Sequence, residues 1–385
     1  MKYFLIAGEA SGDVHAASLI NALRHCDAGA EFRFLGGDLM AEATGTAPMV
    51  HYRDMAYMGF IEVARHLREI LGFMRTARRG IDEWKPDALV LIDYPSFNLK
   101  VARYAHSRGI KAFYYISPKV WAWKEHRVKQ MKQYITQLDS ILPFEPRFFA
   151  ERHGYDVKYV GNPTVAEIAA ARRGFASRED FCKLAGITSG LPIVAVVPGS
   201  RRKEIADNLP VMIRACEAVG RVQPVIAAAP SVDAALYRDV LAAAGCRTDY
   251  PLLAGRTMEI VSHARVALVT SGTATLETAI IGTPQVVCYR MGGSRLLYTL
   301  YRMLLKVDYV SLPNLIADAP VVPELLMHHC SVHNVASRLR DLLAESPARR
   351  AMLRGYDNVA QALGTADSAL TAARLLTAHF TSSCG

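Results

Sequence analysis

The chain has 385 residues, 51% of them hydrophobic, with 45 Lys+Arg against 36 Asp+Glu for a formal net charge of +9. That length is long for one domain and comfortable for two, and the positive balance favours anionic partners without choosing among nucleic acid, phosphorylated metabolites and acidic lipid. The seven cysteines are scattered and never spaced Cys-x-x-Cys, which argues against a zinc ribbon or a disulfide framework and for a reducing cytoplasm; no run reaches the ~18 apolar residues of a membrane span, and with a strand pattern opening the chain no secretory leader is expected.

Short β-branched or aromatic runs alternate with helical patterns almost throughout, the rhythm of βαβ units and parallel sheet. The first run, 3–7, leads into the small polar turn Gly8-Glu-Ala-Ser-Gly-Asp13. Ser11, Gly12 and Asp13 of this turn are candidate ligand contacts, although an acid in a first helical turn is also ordinary dipole complementation. After the run 32–35, residues 58–79 set Met58, Phe60, Leu67, Leu71 and Met74 among Arg65, Arg68, Arg75, Arg78 and Arg79. This basic amphipathic pattern suits either a membrane-surface helix or a core helix.

The run 88–92 ends on Asp93, and Pro95 stops it. Open α/β sheets bind ligands at the carboxyl ends of their strands, so Asp93 is a candidate general base; as a helix N-cap it would instead be structural. Strands are expected at 112–116, 140–142 and 158–160, with an aromatic, basic stretch at 120–129 between the first two. A boundary is expected at Pro163, giving a first domain over 1–163 and a second over 164–346 that opens on a polar helical stretch, 167–185.

The second half restarts at 193–197, which leads into Pro198-Gly-Ser-Arg-Arg-Lys203, and continues with strands at 225–228, 266–270 and 286–289. Three cations at a helix N-terminus are unfavourable unless an anion arrives, and Ser200 and Arg201 stand nearest the turn. Ser271-Gly-Thr-Ala-Thr-Leu-Glu277 follows the strand at 266–270 and opens a helix, so Gly272, Thr273 and Ala274 can offer free amides to a diphosphate, with Glu277 one turn further along. Any one such turn is common in α/β proteins, but three of them, one carrying Arg-Arg-Lys, point to two facing nucleotide-type domains. His328, His329 and His333 include an i,i+4 pair, yet Ser331 reads as the N-cap of the next helix and breaks that face, so no metal site is expected. The tail 347–385 reads as helices without a strand, free to pack on the second domain or cross back to the first.

In order, Gly8-Glu-Ala-Ser-Gly-Asp13, Ser117-Pro-Lys-Val-Trp-Ala-Trp123, Leu142-Pro-Phe-Glu145, Pro198-Gly-Ser-Arg201, Ser271-Gly-Thr-Ala-Thr-Leu-Glu277 and Asp308-Tyr-Val-Ser-Leu-Pro-Asn314 resemble the lipid-A-disaccharide synthase family, inverting glycosyltransferases. The resemblance implies an α/β fold of two Rossmann-like doubly wound domains facing a cleft (GT-B type). It implies transfer of 2,3-diacylglucosamine from UDP to the 6-hydroxyl of 2,3-diacylglucosamine 1-phosphate, without a cofactor or nucleic-acid partner, at the inner face of a Gram-negative cytoplasmic membrane. By resemblance Asp93 matches the family's essential aspartate, Ser11 belongs to its first glycine turn, and Arg201, Thr273, Glu277 and Asn314 line the UDP side. The chain departs from the family at Ser96, Asn162 and Met327. A UDP-N-acetylglucosamine 2-epimerase shares the plan and donor site, and a non-catalytic nucleotide-sugar binder is the reading from a third class. Oligomeric state is left open.

Overall fold

Two parallel six-stranded sheets organise the chain, each with a switch in winding direction. The computed structural model describes residues 1–55, 67–122, 124–290 and 308–381. The first sheet holds β1 (Lys2–Ala7), β2 (Glu31–Leu35), β3 (Ala88–Ile92), β4 (Lys111–Tyr115), β5 (Gln137–Ser140) and β6 (Lys158–Tyr159) in the order β2-β1-β3-β4-β5-β6. The second holds β7 (Ile193–Val197), β8 (Gln223–Ala228), β9 (Leu252–Ala254), β10 (Val266–Thr270), β11 (Gln285–Tyr289) and β12 (Glu324–Leu326) in the order β12-β11-β10-β7-β8-β9.

The strands form where the sequence can bury both faces. In β3, Leu89 and Leu91 join one apolar cluster while Ala88, Val90 and Ile92 join another on the opposite face, as the two-residue side-chain period requires. Burying each of the larger side chains is worth ~1.5–3 kcal/mol. Pro95 ends the strand and opens the helix Pro95–Ser107, where its missing N–H costs nothing.

The chain separates into two compact units, Met1–Pro163 with Thr365–Gly385, and Thr164–Gly364. The tail therefore divides: the helix Pro347–Leu363 belongs to the second unit, and the helix Ser368–Thr381 returns to the first. There Ala372, Ala373 and Leu376 share a core with Leu19, Ile20 and Leu23 of the helix Ala10–Cys26. Tyr115 and Ser368 are joined through their hydroxyls at 3.0 Å, and Lys111 Nζ donates to the carbonyl of His379 at 3.0 Å.

Strand order fixes where ligands can enter. In the first sheet β1 lies between β2 and β3, so the chain leaves in opposite directions on either side of the β1/β3 crevice. In the second sheet the reversal falls between β7 and β10. Helices diverge outside the carboxyl ends of such strands and leave a crevice. Gly8 and Asp93 follow β1 and β3, while the turns beginning at Pro198 and Ser271 follow β7 and β10.

Candidate functional site

At the β1/β3 crevice the backbone is held in an unfavourable form. Asp93 and Tyr94 have φ of 43° and 48°, and Ile116, at the end of the neighbouring β4, has φ of 70°. Left-handed non-glycine residues cost roughly 1–3 kcal/mol each and persist only when the surroundings over-determine them. Here the surroundings do so. Asn98, fully buried, donates from Nδ2 to the carbonyls of Ile92 at 3.2 Å and Asp93 at 2.7 Å. The Tyr114 hydroxyl donates to the same Asp93 carbonyl, and the Asp93 amide donates to Tyr115 at 3.3 Å. The Tyr94 ring lies directly on Gly8, where any Cβ would come within 2.4 Å of ring carbons, so a side chain at position 8 would displace the turn that carries Asp93.

Burial pushes the Asp93 carboxyl above its ordinary range, while the charge of Lys119 and the Tyr94 amide pull it back. That balance suits a group that must be ionised yet basic enough to take a proton. Lys119 sits on the segment 117–122, which is anchored from below: the Trp121 indole N–H donates to Glu145 Oε1 at 2.7 Å, and the Ser140 hydroxyl donates to the other Glu145 oxygen. Burial raises the Glu145 carboxyl to about 7. Sequence reading singled out neither Asn98, Tyr114 nor Lys119; Lys119 lies within a quoted motif, whereas Asn98 and Tyr114 carry no local signal. Trp123 lies outside the described residues.

The first glycine turn divides in role. Ser11 is exposed and Gly12 packs against Ala7. Asp13 is buried, its carboxylate accepting the amides of Gly37 at 2.8 Å, Leu39 at 3.1 Å and Met40 at 3.2 Å. It caps the helix Asp38–Thr44 rather than complementing its own helix, and its oxygens are engaged. Of the departures from family pattern, Ser96 accepts from Arg127 Nη2 at 2.9 Å, Asn162 donates to the Ile141 carbonyl at 2.8 Å, and Met327 opens the turn Met327–His329.

In the second unit the two turns at the β7/β10 crevice differ. After β7, a carboxylate of the chain itself occupies the amides: Glu204 Oε2 accepts from Ser200 at 3.2 Å and Arg201 at 3.3 Å. The Arg201 side chain is exposed, with Nη1 3.6 Å from Glu204 Oε1. After β10, Gly272 has φ of 155°, which lets the chain swing into the helix Thr273–Ile281 with no side-chain cap. The amides of Gly272, Thr273 and Ala274 donate to no acceptor among the described residues, which leaves that helix N-terminus with donors free for an anion. Glu277 lies one turn along; burial, and secondarily the Glu167 carboxylate, push its carboxyl upward.

Asn314 is buried, with Nδ2 donating to the Val322 carbonyl and to Glu324 Oε1, both at 2.9 Å, and Oδ1 accepting from Val322 at 2.8 Å. Its amide group braces the segment between the helix Leu312–Ala317 and β12.

Met58 and Phe60 lie outside the described residues. From Leu67 on, the expected helix is present as Leu67–Trp84. Its inner face is Met74, Ala77 and Ile81, and Leu71, Arg75, Arg78 and Arg79 are exposed. Met74 and Leu71 therefore part company, one in the core and one at the surface. Among the described residues no helix is long and apolar enough to cross a membrane. The Ser331 side chain accepts the Asn334 amide at 3.2 Å, and no His/Cys/Asp/Glu group disposed to hold a metal ion occurs among the described residues.

A family model described as lipid-A-disaccharide synthetase matches residues 3–373. A lipid-A-disaccharide synthase of Syntrophus aciditrophicus is 37% identical over 376 residues, 96% of this chain and 95% of its own length. One from Acidobacterium capsulatum is 37% identical over 388 residues, 98% of this chain and 95% of its own. Among solved structures, a UDP-GlcNAc 2-epimerase from Neisseria meningitidis bound to UDP-GlcNAc is similar with TM-score 0.67 at 11% identity, covering 99% of this chain and 100% of the other. CalG4, the calicheamicin glycosyltransferase, is similar with TM-score 0.57 at 16% identity, covering 100% and 99%. These structural likenesses extend to the fold alone.

Proposed function

This chain belongs to the lipid-A-disaccharide synthase family, glycosyltransferases of lipid A biosynthesis, and we propose that Asp93 is its general base and the β7/β10 crevice its UDP seat. The donor is UDP-2,3-diacylglucosamine and the acceptor 2,3-diacylglucosamine 1-phosphate. Asp93 takes the proton from the acceptor's 6-hydroxyl as that oxygen bonds to the donor's anomeric carbon, and the bond from that carbon to UDP breaks. One displacement from the opposite face inverts the centre and yields a β-1,6 disaccharide 1-phosphate plus UDP.

The departing diphosphate gathers negative charge, which preorganised donors stabilise most where charge develops. The free amides of Gly272, Thr273 and Ala274 and the exposed charge of Arg201 supply such donors. Glu204 on the Ser200 and Arg201 amides fixes that turn, leaving the Arg201 side chain to reach the anion. In this reading Glu277, one turn along that helix, accepts from the ribose hydroxyls. The acylated substrates call for a peripheral position on the inner membrane face, and exposed Leu71, Arg75, Arg78 and Arg79 suit contact with anionic lipid.

The observation that carries the reading is the clamped, left-handed Asp93 at the β1/β3 switch point, partly buried beside a cation. Asp93→Asn keeps shape and hydrogen bonding but cannot accept the proton, so kcat should fall ~10²–10⁴-fold while UDP affinity holds. Asp93→Asn with parental kcat removes the base from this mechanism. Product analysis with both acylated substrates separates this chemistry from epimerisation, which needs no acceptor.

A further inference from the structure

Glu145 is a buried carboxyl that the proton transfer leaves unused. It is 1% exposed and opens the helix Glu145–His153. The Trp121 indole reaches it from the segment 117–122 at 2.7 Å, and Ser140 of β5 is bonded to its other oxygen. Ser140 is itself fixed, accepting the Leu142 amide at 3.0 Å. The buried Trp121 ring meets Phe144 edge-on with centroids 5.1 Å apart, so the indole has both a polar and an apolar anchor.

The segment that Trp121 anchors begins beside Asp93. The Asp93 amide donates to the Tyr115 carbonyl at 3.3 Å, which ties the end of β3 to the last residue of β4. From there Ile116 turns the chain with φ of 70°. The Ser117 amide donates to the Asp139 carbonyl at 2.9 Å, and the Ala122 amide to the Lys119 carbonyl at 3.2 Å. Ser117, Pro118, Val120 and Trp121 are buried, while Lys119 in their midst is exposed. A short turn pinned at Ser117 and again at Trp121 fixes the backbone of the lysine between them. The Lys119 charge acts on Asp93 and Glu145 alike.

We propose that Glu145 is a positioning residue: through Trp121 it holds the 117–122 turn so that the Lys119 ammonium stands by the Asp93 carboxylate and keeps it ionised for the proton transfer. The assignment rests on the general-base reading of Asp93 above. Burial raises the Glu145 carboxyl to about 7, so at acid pH it is neutral and its removal takes away bonds rather than charge. A neutral Glu145 accepts from Trp121 at Oε1 and turns its own hydroxyl to Ser140, whose hydroxyl then donates to the Leu142 carbonyl at 2.9 Å. Glutamine offers an oxygen and an N–H in those places and is the faithful mimic, whereas alanine strips both bonds. Other titratable groups face the pair: Tyr114 from β4 with Arg127 acting on it, Glu9 acting on the adjoining Tyr94, and Asp139 of β5, whose carbonyl accepts Ser117. All are kept in every variant below, so a difference between variants reports Lys119.

The test measures kcat/KM against pH for the full chain with both acylated substrates, as parent, Lys119→Met, Glu145→Ala, Glu145→Gln and the Lys119→Met/Glu145→Ala pair. An opposite charge within ~4–6 Å changes a carboxylate's proton affinity tenfold or more, and the exposure of Lys119 reduces this to roughly threefold. Losing the cation raises that affinity, so Asp93 is protonated at a lower proton concentration. The proton concentration at half-maximal kcat/KM on the acid limb should therefore fall roughly threefold in Lys119→Met and in Glu145→Ala. It should hold in Glu145→Gln, and in the pair it should fall no further than in Lys119→Met. A brace that serves stability alone lowers kcat/KM evenly across the profile and leaves that midpoint in place, which overturns the proposal, as does a further displacement in the pair. Carbon-13 NMR of aspartate labelled at Cγ needs no turnover, with the Asp93 signal identified by its loss in Asp93→Asn. Its titration should show the same displacements, and equal titration in parent and Glu145→Ala refutes the positioning role. A displaced titration together with parental kcat in Asp93→Asn counts against the general-base reading alone. If Glu145→Ala does not fold, Trp121→Phe breaks the same bond from the other side, and an undisplaced Asp93 titration there refutes the proposal equally.

Discussion

Asn98→Ala tests whether the Asp93 turn is held by its surroundings at an energetic cost. Two consecutive left-handed residues at 43° and 48° cost together ~2–6 kcal/mol. Against this stand the Asn98 bonds to Ile92 and Asp93, the Tyr114 bond to Asp93, and the Asp93 amide's bond to Tyr115. Each is worth ~1 kcal/mol net, but a buried carbonyl stripped of its donor costs ~1–3 kcal/mol. Alanine at position 98 strips two donations and opens a small cavity, so urea unfolding should show a loss of ~2–4 kcal/mol. The turn should then relax toward ordinary φ and carry the carboxylate out of line, lowering kcat with little change in donor KM. The decisive comparison is Asn98→Ala in an Asp93→Gly background, where glycine removes the strain that Asn98 offsets. The stability loss should there be smaller by ~1 kcal/mol or more. Equal losses in both backgrounds, or parental kcat in Asn98→Ala, would refute the clamp.

Arg201→Ala should weaken UDP binding about tenfold, the lower end for a charge-assisted contact because the side chain is exposed; calorimetry with unchanged affinity would reassign it to the solvated surface. Glu145 has its folded carboxyl raised from 4.5 to about 7, so its contribution is full below the unfolded value and is lost as pH rises through the folded one. The loss is on the order of 3 kcal/mol between about pH 4.5 and 7. Asp139, also raised to about 7 by burial, titrates in the same window. Glu145→Gln should therefore remove only Glu145's part of the stability loss measured by urea unfolding at pH 5 and 8, and an identical slope in parent and variant would count against it.

The strands were legible where burial on both faces demands unbroken β-branched runs, as at β1, β3, β7 and β10. The expected strand at 140–142 instead lies at Gln137–Ser140, because Gln137 and Asp139 satisfy one another at 2.8 Å and so enter the sheet as buried polar residues. The short edge strands β9 and β12 gave too few residues for a period. Asp13 was visible as an acid in a glycine turn, but its partners lie at Gly37, Leu39 and Met40, a separation no local pattern reports. The return of the last helix rests on Lys111 with His379 and on Tyr115 with Ser368, contacts more than 250 residues apart in sequence. Position alone left Asp93 between base and cap. In the structure its carbonyl is clamped and Tyr94 is the residue preceding the helix Pro95–Ser107, an arrangement that sets Asp93 one residue outside the cap.

The two switch points use different donors, and this bears on how one fold serves several reactions. In the second unit the anion seat proposed after β10 is main chain: Gly272, Thr273 and Ala274 present amides that survive most side-chain changes. In the first unit the proposed chemistry rests on side chains, Asp93 with Lys119 beside it. A backbone seat for a nucleotide can persist while the facing side chains diverge, because the first depends on turn geometry and the second on residue identity. Substrate choice within this chain should accordingly follow substitutions around Asp93 and Lys119 more than substitutions of the Thr273 side chain.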